Sequence, residues 1–324
     1  MEKGAHLADE RHPTSIEKYI GTAWGLATGD SVGYPVEFMT NEEKRDMGGS
    51  EMIYHTGNVG DHPKGVYSDD TQMSIAVANG LLRSETTNVD EIMYHIGREF
   101  VTWYDSEDND RAPGNTCMGG VRNIKDGLDW RISGIDGGNG CGAAMRSAPI
   151  GLAFYNDLDK LKEIASASAV CTHNSKSAEA TAIANAYLVA RGIRNEDPTQ
   201  SLEAVRDFTR GISSGFTYKL DLLEDVLAHS PETAFRVIGE GWKGNDAVAG
   251  ALYCALKTDF NHRDAILMAA DNAGDADSVA SIAGGIVGAH MGHNAIDRSF
   301  LKRLENRDGL RKLAVDLHEK FEES

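Results

Sequence analysis

Two short stretches combine carboxylates and hydroxyls at a spacing that can do chemistry. Tyr67-Ser68-Asp69-Asp70-Thr71-Gln72 opens one apolar helical pattern, and Gly274-Asp275-Ala276-Asp277-Ser278 opens another. Taken singly, each fits helix capping. Serine and aspartate accept hydrogen bonds from the first free N–H groups, and their charge suits the positive end of the helix dipole. Taken together, they hold Asp69, Asp70, Asp275 and Asp277, flanked by Ser68 and Ser278. A cap uses one oxygen, and neighbouring aspartates repel unless they are solvated or neutralised. If the two helix entrances face each other, four carboxylates and two hydroxyls converge. Such hard oxygen ligands suit Mg²⁺ or Mn²⁺ and are the wrong set for structural zinc. Two divalent ions would balance four carboxylates and give the site positive charge for a phosphate-bearing substrate. Spacing alone leaves capping and cation binding both open.

Other residues invite weaker readings. The glycine-rich run Gly138-Asn139-Gly140-Cys141-Gly142 precedes a helical pattern, where backbone N–H groups can cradle a pyrophosphate. Arg146 can bind phosphate, although a helix arginine more often pairs with a carboxylate. His173 stands at a helix start, where a single histidine is usually satisfied by the protein itself. Trp242, set among glycines in GEGW, can stack on a ring or belong to the core. A lone loop glutamate, Glu37 in PVEF, reads on its own as a solvated charge.

The elements that must position these groups are helical. Apolar residues recur at helical spacing over 14–29, 70–84, 89–105, 115–129, 143–155, 158–170 and 175–192. The pattern continues over 202–214, 222–228, 231–238, 246–257, 262–271, 277–293 and 308–321. Strand-like alternation is nearly absent and no fixed-period repeat is present. The expectation is a compact all-α fold of roughly a dozen helices. Residues 41–64 read as a long polar loop, and 130–141 as another. Many of the 35 glycines fall inside the helical segments, where they cost stability. Close helix packing or backbone approach to a ligand would account for them.

Composition narrows the function. The chain has 324 residues, 41% of them apolar, and no composition shift marks an internal boundary. We therefore expect an N-terminal extension over 1–14 and a single domain over 15–324. A formal net charge of −18 argues against nucleic acid or an anionic membrane as a general partner. Cys117, Cys141, Cys171 and Cys254 form neither a zinc pair nor a CxxC, which fits free thiols in a reducing compartment. The start of the chain lacks an apolar signal region and no apolar run is long enough to span a membrane, so a cytoplasmic protein is expected.

In these stretches the sequence resembles the ADP-ribosylglycohydrolase family, including the dinitrogenase reductase-activating glycohydrolases. The resemblance rests on GTAWGLATGDSVGYPVEF (21–38), YSDDTQM (67–73), GNTCMGGVRNI (114–124) and GNGCGAAMRSAPIGL (138–152). THNSKSAEA (172–180), GEGWKGNDAVAGALYCAL (239–256) and GDADSVASIAGGIVGAHMG (274–292) follow in family order. The resemblance implies an all-α fold with a binuclear Mg²⁺ or Mn²⁺ cleft, and hydrolysis of the glycosidic bond that joins ADP-ribose to a target. By position, Ser68, Asp69 and Asp70 would serve one metal, Asp275 and Ser278 the other, with Asp277 bridging. The catalytic set would be Glu37, Asp69 and Asp277. Asn115, Asn139, Gly140, Gly142, His173 and Trp242 would bind substrate. The family often has threonine where Ser68 and Ser278 stand, and serine keeps the hydroxyl. Nitrogenase-associated members carry aspartate where this chain has Asn115. An amide cannot act as a base, but it can hydrogen-bond ribose or a guanidinium-bearing leaving group. The resemblance implies an ADP-ribosylated protein as substrate, with ADP-ribosyl-arginine as the first expectation. It also allows an immunity protein that reverses the damage of an ADP-ribosyltransferase toxin. The competing reading is a non-catalytic ADP-ribose- or partner-binding protein on the same fold.

Overall fold

The computed structural model describes residues 13–57 and 60–322; most of the expected N-terminal extension lies outside them. Helices dominate, and the strands are two-residue pieces. Ile135–Asp136 and His173–Asn174 pair in parallel, with Ile135 opposite His173 and Asp136 opposite Asn174. Among the described residues, no helix is long and apolar enough to cross a membrane.

Two helices form the axis of the molecule. Ser15–Gly33 runs antiparallel to Ala276–Met291, and small residues line both along the contact. A Cβ at Gly25 would lie 2.1 Å from the Gly284 carbonyl oxygen, and one at Gly29 would lie 2.0 Å from that of Ala280. At one end, a Cβ at Gly33 would reach within 2.4 Å of the Asp277 Cα. Only glycine lets the backbones approach so closely, which explains glycines that lower helix propensity. Every residue from Ala276 to His290 is buried. Beyond the Asp277–Ser278 start, small and apolar residues lie on all of its sides, as in a central helix. Lys176–Ile193, Gly244–Lys257 and His262–Asn272 pack around it.

Several boundaries differ from the sequence expectation. The 41–64 stretch is not one loop. It carries the helices Asn41–Asp46 and Ser50–Thr56. Thr40 and Glu43 form a reciprocal cap: the Thr40 N–H donates to Glu43 Oε2 at 2.8 Å, and the Glu43 N–H donates back to Thr40 Oγ1 at 3.2 Å. The helix is too short to show a period, and tertiary contact secures it. Lys44 is buried and donates to the carbonyls of Ala270 and Ala273, both at 2.7 Å. The helix expected over 143–155 is two helices, Gly142–Met145 and Ala148–Ala153. Pro149, in the first turn of the second, cannot continue a helix from upstream because it lacks an N–H and its ring crowds the preceding turn. Ser201–Phe208 stops earlier than expected. Ser213 then caps a longer helix, Ser214–Val226, by accepting the Phe216 N–H.

Candidate active site

The fold brings the two acidic helix entrances together. Asp69–Arg83 begins at Ser68, whose hydroxyl caps it by accepting the Asp70 N–H at 3.3 Å. Ala276–Met291 begins at Asp275, whose side chain makes no cap bond. Ser278 Oγ crosses between the two helices, donating to Asp70 Oδ1 at 2.8 Å. The hydroxyl and carboxylate that meet here come from positions 208 residues apart.

Asp30, which the sequence analysis did not single out, organises this junction. It is fully buried near the end of the first helix. Its Oδ1 accepts the Ser68 N–H at 2.8 Å, and its Oδ2 accepts the Thr71 N–H at 2.9 Å and the Thr71 hydroxyl at 2.6 Å. A carboxylate from one helix therefore satisfies the free N–H groups at the start of another. This leaves Asp69 and Asp70 less occupied with capping. An aspartate inside a run of small buried residues, GLATGD, was the available signal.

Carboxylate oxygens fall into two groups whose members lie within 4.8 Å of one another: Asp30, Asp70 and Asp277, and Glu37, Asp275 and Asp277. Asp277 belongs to both. Pro35 helps turn the chain out of the first helix through Tyr34–Val36, which delivers Glu37 to the cleft. Glu37 is only 8% exposed, and its Oε2 has no hydrogen-bond partner. Neither these five carboxylates nor the neighbouring Asp69 pairs with a lysine, arginine or histidine among the described residues. Burial raises their proton affinity, and their mutual charge adds to it. Asp69, Asp70 and Asp275 sit well above the usual carboxylate range, from burial first and the Asp277 charge second. Burial also raises Asp277. Asp30 is pushed up to about 7 and Glu37 to about 11 by the same two causes. Buried acceptors of one sign, with a bare oxygen among them, fit a group of hard cations. These acidic groups could therefore hold metal ions.

The opposite wall of the cleft, about 170 Å³ in volume, is polar and small-sided. Asn115, Gly140, Gly142, His173 and Trp242 line it together with Glu37, Asp69, Asp70, Asp275, Asp277 and Ser278. Asn139 does not. It is exposed at the rim, and its carbonyl accepts the Gly244 N–H at 3.0 Å. Ser68 is fully buried behind the carboxylates. Thr116, Cys117 and Cys141 also line the cleft, and the Cys141 thiol donates to Asp275 Oδ2 at 2.9 Å. Trp242 is 43% exposed and stacks on Phe38, with ring centres 5.9 Å apart and planes 20° apart. Gly241, at φ +100°, sets this turn, since a Cβ there would strike Val279 at 2.6 Å.

Arg146 departs from both of its sequence readings. It does not line the cleft, and among the described residues it pairs with no carboxylate. It is fully buried, with Nη2 donating to the Ser168 carbonyl at 2.7 Å and to Thr172 Oγ1 at 2.6 Å. The Phe100 ring lies 4.5 Å from its guanidinium carbon.

Comparison with known proteins gives a consistent result. A model of the ADP-ribosylglycohydrolase family matches residues 11–324. The ADP-ribosyl-[dinitrogen reductase] glycohydrolase of Rhodospirillum rubrum is 27% identical over 90% of this chain and 92% of its own. The ADP-ribosylarginine hydrolase Tri1 of Serratia proteamaculans is 26% identical, covering 94% of this chain and 79% of its own. A solved structure described as an ADP-ribosylglycohydrolase-related protein complex superposes with a TM-score of 0.71 at 23% identity, covering 94% of this chain and 98% of its own.

Proposed function

Because the chain belongs to the ADP-ribosylglycohydrolase family and is a glycosyl-bond hydrolase of ADP-ribosyl linkages, we propose that it is a cation-dependent enzyme that frees ADP-ribose from modified arginine on protein. The observation that carries the cation dependence is the convergence of six buried carboxylates with no cationic side chain among them. Ser68, Asp69 and Asp70 would hold one divalent ion, Mg²⁺ or Mn²⁺, and Asp275 and Ser278 a second, with Asp277 shared. Asp30 is a further candidate on the first of these. When bound, such ions supply positive charge that anchors ribose hydroxyls and favours a nucleophilic water.

The chain's own groups do the rest. Carboxylates around the anomeric carbon stabilise the oxocarbenium-like charge that develops as the glycosidic bond breaks. Glu37 presents a partner-free Oε2 at the edge of this group. In this reading that atom holds or moves a proton at the leaving group or at water. Gly140, Gly142 and His173 form the wall that receives ADP-ribose, with Asn139 at its rim, and Asn115 can hydrogen-bond ribose or the leaving group. The Phe38–Trp242 stack offers a flat aromatic face within an acidic protein, which suits a planar guanidinium. The resemblance to an ADP-ribosylarginine hydrolase supports the same linkage. An immunity role against an ADP-ribosyltransferase toxin fits a reaction that reverses protein damage.

The test is release of free ADP-ribose from an arginine-ADP-ribosylated protein with Mg²⁺, with Mn²⁺ and with chelator, beside Glu37→Gln. The expected result is cation-dependent release that Glu37→Gln lowers by roughly 10²–10⁴-fold. Release only from a serine-linked substrate would overturn the arginine assignment. Release indifferent to chelator would overturn the cation.

A further inference from the structure

Behind the cleft, three side chains form a directed chain of hydrogen bonds. Arg146 Nη2 lies 2.6 Å from Thr172 Oγ1, and Thr172 Oγ1 lies 2.8 Å from His173 Nδ1. All three residues are buried. Direction follows from donor chemistry. A guanidinium has only donors, so Thr172 Oγ1 must accept from Arg146. The hydroxyl keeps one proton, and among the described residues its remaining partner is His173 Nδ1. Oγ1 has a second lone pair, but accepting from Nδ1 as well would leave the hydroxyl proton without a partner among the described residues; donating to Nδ1 satisfies both groups and puts the ring proton on Nε2.

Nε2 faces the glycine-rich run. A Cβ added at Gly142 would lie 3.2 Å from His173 Nε2 and 2.9 Å from Cε1, and one added at Gly140 would lie 3.6 Å from Nε2. Gly142 therefore leaves room for the imidazole edge, and Gly140 lies at ordinary contact distance from it. The short parallel pairing of Ile135 with His173 fixes the backbone beneath it, through the Ile135 N–H bond to the Thr172 carbonyl at 2.8 Å.

We infer that Arg146 and Thr172 are positioning residues that lock His173 as a neutral Nε2–H donor aimed at the substrate wall of the cleft. This rests on the proposal that the wall receives ADP-ribose, whose phosphate and ribose oxygens need donors. A neutral donor serves an anion without depending on pH. Burial and the nearby Arg146 charge push the His173 imidazolium down to about 3, so the ring stays neutral in the working range. Arg146 is suited to this place because it cannot reverse its role. A glutamine there could present an acceptor and release Thr172 to turn its proton away.

Nitrogen-15 NMR of the histidine-labelled full-length protein reads the tautomer directly, with His173→Gln as the assignment control. The expected spectrum shows His173 protonated on Nε2 and bare on Nδ1; protonation on Nδ1 would overturn the inference. Thr172→Val should mix the tautomers and weaken ADP-ribose binding about tenfold, raising KM more than it lowers kcat. Thr172→Ser should restore both. An unchanged tautomer in folded Thr172→Val, or no rescue by serine, would also overturn it. If Thr172→Val does not fold, the wild-type spectrum alone decides. Failure of the wild-type protein to bind ADP-ribose would sink the proposed function but leave the tautomer result standing.

Discussion

The buried cations and the buried carboxylates of this protein are treated in opposite ways. Lys18 donates to the Gly192 carbonyl at 2.5 Å and to Asn195 Oδ1 at 2.7 Å. Lys44 donates to the carbonyls of Ala270 and Ala273, and Arg146 to that of Ser168 and to the Thr172 hydroxyl. Each of these cations meets acceptors within the protein, although Arg146 Nε itself has no partner. The buried carboxylates of Asp30, Glu37, Asp70, Asp275 and Asp277 crowd one another at the cleft, and Glu37 Oε2 is left bare. Carbonyls are in surplus at helix C-termini, so a buried donor finds acceptors easily. Backbone, hydroxyl and thiol donors answer part of the carboxylates' acceptor capacity, but no lysine, arginine or histidine among the described residues balances their charge, which is the role an external cation could fill. Buried histidines show a third solution, which is to give up the proton. Burial holds His262 down at about 4, its Nδ1 accepting the Asp297 N–H while Nε2 meets the Thr28 hydroxyl at 3.0 Å.

This contrast is breakable at each of its terms. The largest expected effect is at the acidic side. Asp277→Asn should abolish divalent-cation binding, measured by calorimetry, and cut ADP-ribose release about a thousandfold or more. It should nevertheless raise the thermal midpoint of the cation-free protein at pH 8 by a few degrees, on the order expected for relief of one repelling charge. The sign follows from the raised proton affinity of Asp277. A carboxylate raised on folding loses its contribution as pH rises, so above neutrality its charge costs stability. A lower midpoint would show that Asp277 is held as a structural cap.

Arg146→Met should have the reverse profile. It leaves the Ser168 carbonyl and the Thr172 hydroxyl without their donor and should destabilise the fold by about 2–3 kcal/mol in denaturant titration. Divalent-cation binding should persist. Loss of cation binding with unchanged stability would place Arg146 with the ligand site instead.

The smallest effect lies with the histidine. The His262 pKa is lowered on folding, so its contribution is present above pH 6.5 and lost as pH falls toward about 4. Comparing stability at pH 7.5 and pH 5, His262→Gln should remove about 2 kcal/mol of the acid-induced loss. An unaltered acid limb would mean that His262 is not buried neutral.

The acidic machinery was largely legible from residue type and spacing. Ser68, Asp69, Asp70, Asp275, Asp277 and Ser278 announce themselves because two hydroxyl–carboxylate sets exceed what two caps need. Their meeting was an inference that depended on two helices facing. Asp30 was missed because one aspartate in a helical run carries no spacing signal, and its partners Ser68 and Thr71 lie about forty residues on. Arg146 was misjudged for a related reason. A helix arginine on paper has unknown neighbours, and its real ones arrive from Ser168 and Thr172 through packing. The 41–64 helices were hidden by being too short to show a period.

Residue periodicity and composition were enough to determine an all-α chain with glycines that demand close helix contact, because side-chain volume and backbone freedom are local properties. They also announced an excess of hard oxygen ligands at two helix entrances. Which oxygens share a centre, and which buried charge remains unanswered, was decided when Ser15–Gly33 and Ala276–Met291 closed on each other through bare glycine backbone. Partners so far apart in the chain become neighbours through packing, and hydrogen-bond satisfaction is a property of neighbours.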